Sequence, residues 1–191
     1  DSVRMLPQLI KYFDEPFADS SAIAMYYISK LAKEQVGVVL CGDGGDELFG
    51  GYDTYSAYEI ARIYKRLPKF LRRKLIAKLV KSLPTSTKRI SFDYKAKAFV
   101  DGAEFSYYKS HYWWKVILNE EQKRELYSDE LLSRMNPDDS FKVFEFYFNR
   151  FKRLTLLNQF FAVDLKTFLP DDNLTKVDRM TMAHSLEARV P

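Results

Sequence analysis

The stretch VGVVLCGDGGDELFGGYDTY, residues 36–55, decides how this chain is read. Residues 36–40 are a β-branched apolar run, too short for a helix. The run leads into Cys41-Gly42-Asp43-Gly44-Gly45-Asp46-Glu47, then Leu48-Phe49 and a second pair, Gly50-Gly51. Five of the seven glycines lie between positions 42 and 51. A continuous apolar run of this length predicts a strand buried on both faces of a parallel sheet. Such sheets place ligands just past the carboxyl ends of their strands.

The loop alone admits three readings. It is a plain turn that needs glycine, with surface acids. It is a phosphate cradle, since glycines let backbone N–H groups approach an anion. Or it is a magnesium site, because Asp43, Asp46 and Glu47 put three hard oxygen donors within five residues. The last two combine as a nucleotide phosphate with its Mg²⁺. The Walker loop, the dinucleotide fingerprint and the EF-hand all fail on spacing.

Working outward, residues 1–13 read as an amphipathic helix through Val3, Leu6, Leu9 and Ile10. Pro16 marks a break, and Asp19, Ser20 and Ser21 offer N-cap side chains. A helix to about Glu34 carries Ile23, Tyr26, Tyr27 and Leu31 on one face. After Tyr55 no strand is predicted. Helices are expected over residues 56–66, 70–83, 94–100, 106–118, 120–127, 129–134, 141–161 and 173–185. Loops or turns fall at 84–87 and 136–139. The expectation is an α/β fragment, mostly helical, with a nucleotide-site part at 1–55 and a helical part at 56–191.

Composition bounds the rest. The chain has 191 residues, 47% hydrophobic and 29% charged, which suits a folded domain. One cysteine excludes an internal disulfide and a cysteine zinc cluster. No apolar run approaches the roughly 20 residues of a membrane span, and no signal peptide opens the chain. These features favour the cytoplasm, with no membrane partner. The ends, Asp1 without a methionine and Pro191 in mid-phrase, suggest a piece of a longer protein.

Charge is uneven. Residues 62–97 hold thirteen Lys or Arg and one acid, Asp93, leaving 17 basic and 25 acidic residues elsewhere. The block raises a nucleic-acid or membrane reading. The favoured reading is a solvated helical face, because the charges alternate with Ile63, Leu67, Leu71, Leu75 and Leu79. His111, His184 and the Tyr112-Trp113-Trp114 run are read as structural, and Cys41 as a small buried residue.

Three blocks carry a resemblance. They are Asp14-Glu15-Pro16-Phe17-Ala18-Asp19-Ser20-Ser21, the Cys41-to-Tyr52 stretch, and Leu169-Pro170-Asp171-Asp172 through Lys176-Val177-Asp178-Arg179 to Pro191. In type and order they resemble the synthetase domain of glutamine-hydrolysing asparagine synthetases. The resemblance implies part of a parallel-sheet adenine-nucleotide α-hydrolase-like (PP-loop) domain followed by a helical region. It implies ATP and Mg²⁺, adenylation of the aspartate side chain, and attack by glutamine-derived ammonia to give asparagine. It also implies an N-terminal glutaminase domain on the same polypeptide, and leaves a homodimer open.

Carried onto this chain, Cys41 and Gly42 stand where the family has Ser-Gly against the nucleotide. Asp43 stands where it has an acid, usually Glu, beside the adenylate. Asp46 matches the carboxylate for Mg²⁺ and pyrophosphate, and Gly44 and Gly45 let the backbone come close. Asp171 or Asp172 matches an acid behind the directly binding groups. Arg179, Glu187 and Arg189 match structural or site-lining positions. The family's Ser-Gly-Gly-x-Asp-Ser loop, its late lysine and the glutaminase cysteine are not in this chain, so the piece alone is expected to be inactive and to bind ATP weakly. Two alternatives stand beside this reading: the same chemistry on another carboxylate, and a basic helical nucleic-acid-binding module.

Overall fold

The computed structural model describes residues 2–86, 91–134 and 140–190. The turn expected at 136–139 and the end of the loop expected at 84–87 lie outside them. In chain order the elements are α1 (Ser2–Phe13), α2 (Ser21–Lys33), β1 (Val38–Leu40), α3 (Gly45–Phe49) and α4 (Asp53–Tyr64). A π-helical segment, Leu71–Ile76, runs into α5 (Ala77–Lys81). Then come α6 (Phe92–Gly102), α7 (Tyr107–Trp113), α8 (Glu120–Leu126), α9 (Asp129–Arg134), α10 (Phe141–Arg150) and α11 (Leu156–Asp164). A second π-helical segment, Leu169–Leu174, leads into α12 (Thr175–Met182) and β2 (Glu187–Arg189).

The chain forms two compact units, residues 1–51 with 161–191, and residues 52–160. The last 31 residues therefore belong with the opening stretch, which the sequential division at 55/56 did not anticipate. Among the described residues no helix is long and apolar enough to cross a membrane.

In the first unit, α1 buries Met5, Leu9 and Phe13, spaced four apart, against Ala22 of α2 and Met180 of α12. Leu6 and Ile10, expected inside, are exposed, as are Tyr27 and Leu31 of α2. Both stripes are rotated, because the side that meets a neighbour decides burial. Asp19 prepares α2: its carboxylate accepts from the Ser21 N–H at 2.8 Å and from the Ser21 hydroxyl at 2.7 Å. β1 and β2 are parallel, with Val38 opposite Glu187, Val39 opposite Ala188 and Leu40 opposite Arg189. β2 was not foreseen: Glu-Ala-Arg carries no strand preference of its own, and main-chain pairing to β1 makes it a strand. Nor is β1 covered on both faces. Leu40 is 85% exposed and Val38 is exposed too, because among the described residues the sheet has two strands and nothing covers that face.

In the second unit, α4 buries Tyr55, Tyr58, Ala61 and Tyr64, while Ile60 and Ile63 face out. Rings explain the choice. Tyr58 meets Phe160 edge-on at 5.1 Å, and His111 stacks on Phe160 at 4.4 Å. Such pairs add to area burial. The Tyr64 hydroxyl donates to the Arg72 carbonyl at 3.2 Å.

The basic block departs from expectation. Ile63, Leu67, Leu75 and Leu79 are exposed, and Arg72 is buried in an ion pair with Glu104. Arg73 pairs with the same Glu104 at 2.8 Å and Lys81 with Asp101 at 2.8 Å. Within and after the π-helical segment, bonds to the fifth residue turn the stripe out of 3.6-residue phase, which leaves Leu75 and Leu79 outside; Ile63 precedes it and faces out because α4 buries its tyrosines instead. The single helix expected at 141–161 is two, with a turn between Phe151 and Thr155. Gln159 Nε2 donates to the Leu154 carbonyl there at 2.8 Å.

Gly102 closes α6 against tryptophan. A Cβ at this position would stand 2.2 Å from Trp114 Nε1 and 3.0 Å from Trp113 Cδ1. Gly102→Ala is expected to destabilise the protein by roughly 1–3 kcal/mol. A urea-unfolding midpoint equal to that of the parent would refute this packing.

Candidate functional site

The loop after β1 is built on one backbone requirement. Gly44 has φ 94° and precedes α3, and Gly50 has φ 74° and closes it. L side chains rarely adopt these angles. The Gly45 N–H donates to the Gly42 carbonyl at 3.0 Å, and the Leu48 N–H to the Gly44 carbonyl at 3.1 Å. The N–H groups of Gly50 and Gly51 both donate to the Asp46 carbonyl, at 2.9 and 3.0 Å. The second glycine of that pair is required by contact. A Cβ on Gly51 would stand 2.0 Å from Asp46 Oδ1. At Gly42 and Gly45 an added Cβ would meet nothing within 4 Å, so the space beside those residues is open.

Cys41 continues the sheet: its N–H donates to the Arg189 carbonyl at 3.0 Å and its thiol sits 3.6 Å from the same oxygen. Burial, then the Asp43 carboxylate, push the Cys41 thiol up from its ordinary range. That is opposite to what an activated thiolate needs. Asp43 is half-buried and Asp46 exposed.

Glu47 corrects the three-donor reading. It is 0% exposed, and its Oε1 accepts from Asn173 Nδ2 at 3.1 Å. It is therefore part of the interior. Among the described residues no three His, Cys, Asp or Glu side chains form a group able to hold a metal. Two carboxylates beside a glycine loop fit Mg²⁺ held jointly with phosphate oxygens, which needs only one or two carboxylates from the protein. They do not fit an all-protein cage.

Behind the loop runs a partly buried polar chain, from half-buried Asp19 to fully buried Glu47. Lys176 Nζ donates to Asp19 Oδ2 at 2.5 Å and to Asn173 Oδ1 at 3.3 Å, and Asn173 reaches Glu47. Burial by itself would raise the Asp19 pKa, but the hydrogen bonds from Lys176 and Ser21 bring it below the usual carboxylate range. Each of the three sequence blocks that carried the resemblance contributes to this chain. Sequence reasoning gave Asp19 only a capping role and Asn173 and Lys176 none. One signal was available: Lys176 lies four residues before Met180, on the core side of α12.

The remaining expected residues are more peripheral. Asp171 is exposed at the π-helical turn, and partial burial and the nearby Glu15 carboxylate raise its pKa. Asp172 is half-buried. Arg179 lies 3.5 Å from Asp14, whose φ is 61°. Glu187 and Arg189 pair with each other at 2.8 Å on β2 and are exposed. His184 lies against the Tyr26 ring, centroids 4.3 Å apart, and burial lowers its pKa.

The profile of a family described as asparagine synthase matches residues 1–191. Over 187 residues the chain is 33% identical to "Asparagine synthetase [glutamine-hydrolyzing] 1" of Bacillus subtilis, covering 97% of this chain and 28% of that protein. It is 32% identical over 190 residues to a "Putative asparagine synthetase [glutamine-hydrolyzing]" of Mycobacterium bovis, covering 99% of this chain and 27% of that protein. A stretch of 61 residues is 52% identical to "Putative asparagine synthetase [glutamine-hydrolyzing] 2" of Methanocaldococcus jannaschii, 31% of this chain and 12% of that protein. The chain thus spans just over a quarter of the length of the first two relatives. No solved structure gives a significant match.

The depressed pKa of Asp19 fixes a pH dependence. The ion pair contributes fully at neutral pH, and its contribution is lost as pH falls through and below about 4. Lys176→Met is expected to cost about 1–3 kcal/mol at pH 7, less than a fully buried pair would because Asp19 is partly exposed. The gap from the parent should narrow below pH ~4. Denaturant unfolding across pH checks this, and a gap independent of pH would remove Asp19 from the account.

Proposed function

The chain belongs to the asparagine synthase family, and from that premise we propose that it forms part of an ATP-dependent amidotransferase. In this reading the whole protein adenylates the side-chain carboxylate of aspartate, and glutamine-derived ammonia displaces AMP to give asparagine. The observation that carries the reading is local. Asp43 and Asp46 follow the carboxyl end of a parallel strand, on either side of a left-handed glycine, where α/β sheets bind ligands.

Roles follow from chemistry. The main chain at Cys41, Gly42, Gly44 and Gly45 lies against the nucleotide, with open space at Gly42 and Gly45 for a polyanion. Asp46 would hold Mg²⁺, which supplies neutralising charge to the leaving pyrophosphate. Asp43 accepts a proton from the attacking ammonia, since an amine must lose one to become an amide. Asp171, Asp172, Arg179, Glu187 and Arg189 support or line the site. An N-terminal glutaminase domain supplies the ammonia, in keeping with the names of the relatives.

The test uses the full-length protein. Pyrophosphate release with Mg-ATP and aspartate should be lost by about 100-fold or more in Asp46→Ala. Unchanged turnover in that variant would sink the metal role. Release with a different carboxylate in place of aspartate, and none with aspartate, would move the protein to another acceptor.

A further inference from the structure

The roles above leave Lys176 with nothing to do, although it is 8% exposed and lies at the centre of the polar chain. We propose that Lys176, acting through Asn173 and Glu47, is the positioning residue that sets the loop bearing Asp43 and Asp46. This inference rests on the adenylating reading of that loop.

The argument begins with what holds α3. This helix is five residues long, and both flanking residues, Gly44 and Gly50, are left-handed glycines. Its apolar residues do not anchor it: Leu48 is exposed and Phe49 is 88% exposed. Glu47 is its one buried side chain. The inward tether of the segment is therefore a carboxylate, and the direction of that carboxylate decides where its neighbour Asp46 points.

Asn173 sets the direction. Its amide accepts from Lys176 through Oδ1 and donates to Glu47 through Nδ2. An ammonium has only donors and a carboxylate only acceptors, so one orientation of the amide satisfies both. The second contact of Lys176, to Asp19, holds the ammonium in place. Asp19 is in turn held by Ser21 at the start of α2. The order of control runs from α2 through Lys176 and Asn173 to Glu47. An apolar replacement of the ion pair could keep the fold, but it would not orient the amide.

The experiment is made on the full-length protein with Asn173→Asp, Lys176→Met and Lys176→Arg. Asn173→Asp keeps the size and sets a second carboxyl against Glu47. At pH ~8 its kcat for pyrophosphate release from Mg-ATP and aspartate should fall about 100-fold, with KM little changed. Hydrogen exchange of amides 42–51 should quicken in Asn173→Asp and Lys176→Met and return towards the parent in Lys176→Arg. A parent-like kcat in Asn173→Asp, unchanged exchange at 42–51, or Lys176→Arg behaving as Lys176→Met overturns the proposal. If the parent itself releases no pyrophosphate, the adenylating reading falls, and the exchange arm alone decides the positioning role.

Discussion

A buried ammonium has to be answered by an anion, and in the first unit that constraint organises everything else. An ammonium cannot lie in the core without an anion to answer it. Asp19 meets it from 157 positions away in the sequence. To bring them together, α2 must lie along α12 and the segment before α2 must turn in. The second contact of the same ammonium carries the order on to α3. The glycine loop is shaped by two left-handed residues but held from beneath by this chain.

The second unit solves a different problem. Its core is aromatic rather than aliphatic, and its polar members are absorbed into ring contacts. His111 lies parallel between Tyr55 and Phe160. Tyr112 faces Phe141 and Phe144. Trp114 stacks on Phe99. Rings prefer offset or edge contact, so they tolerate varied angles between short helices. Glu104 receives two guanidinium groups, which binds one side of the basic block to the unit and leaves its leucines facing out.

Much of the local structure was legible in the sequence. The two-helix opening, the strand before the glycines, and the need for glycine at a turn follow from spacing and from the missing Cβ. What was not legible depends on partners far away in the chain. The spacing of α4 pointed to Ile60 and Ile63 for the interior, and the tyrosines are inside instead because each meets a distant ring: Tyr55 faces His111, Tyr58 faces Phe160 and Tyr64 faces Phe99. β2 has no strand composition, and its identity comes from β1. Glu47 looked like a ligand because three acids in five residues look alike on paper. One of them points at Asn173, 126 positions on, and no local rule contains that fact. The same holds for the π-helical segments, where one extra residue per turn changes which side is inside without changing the composition.

The thin sheet has a consequence for anyone who handles this chain by itself. A pair of parallel strands with Leu40 bare and one edge of β1 unpaired among the described residues is a template. Main-chain donors and acceptors along such an edge recruit whatever extended segment is near, including another copy. A short extended peptide in register with residues 38–40 would act on it as a stopper does on an open bottle.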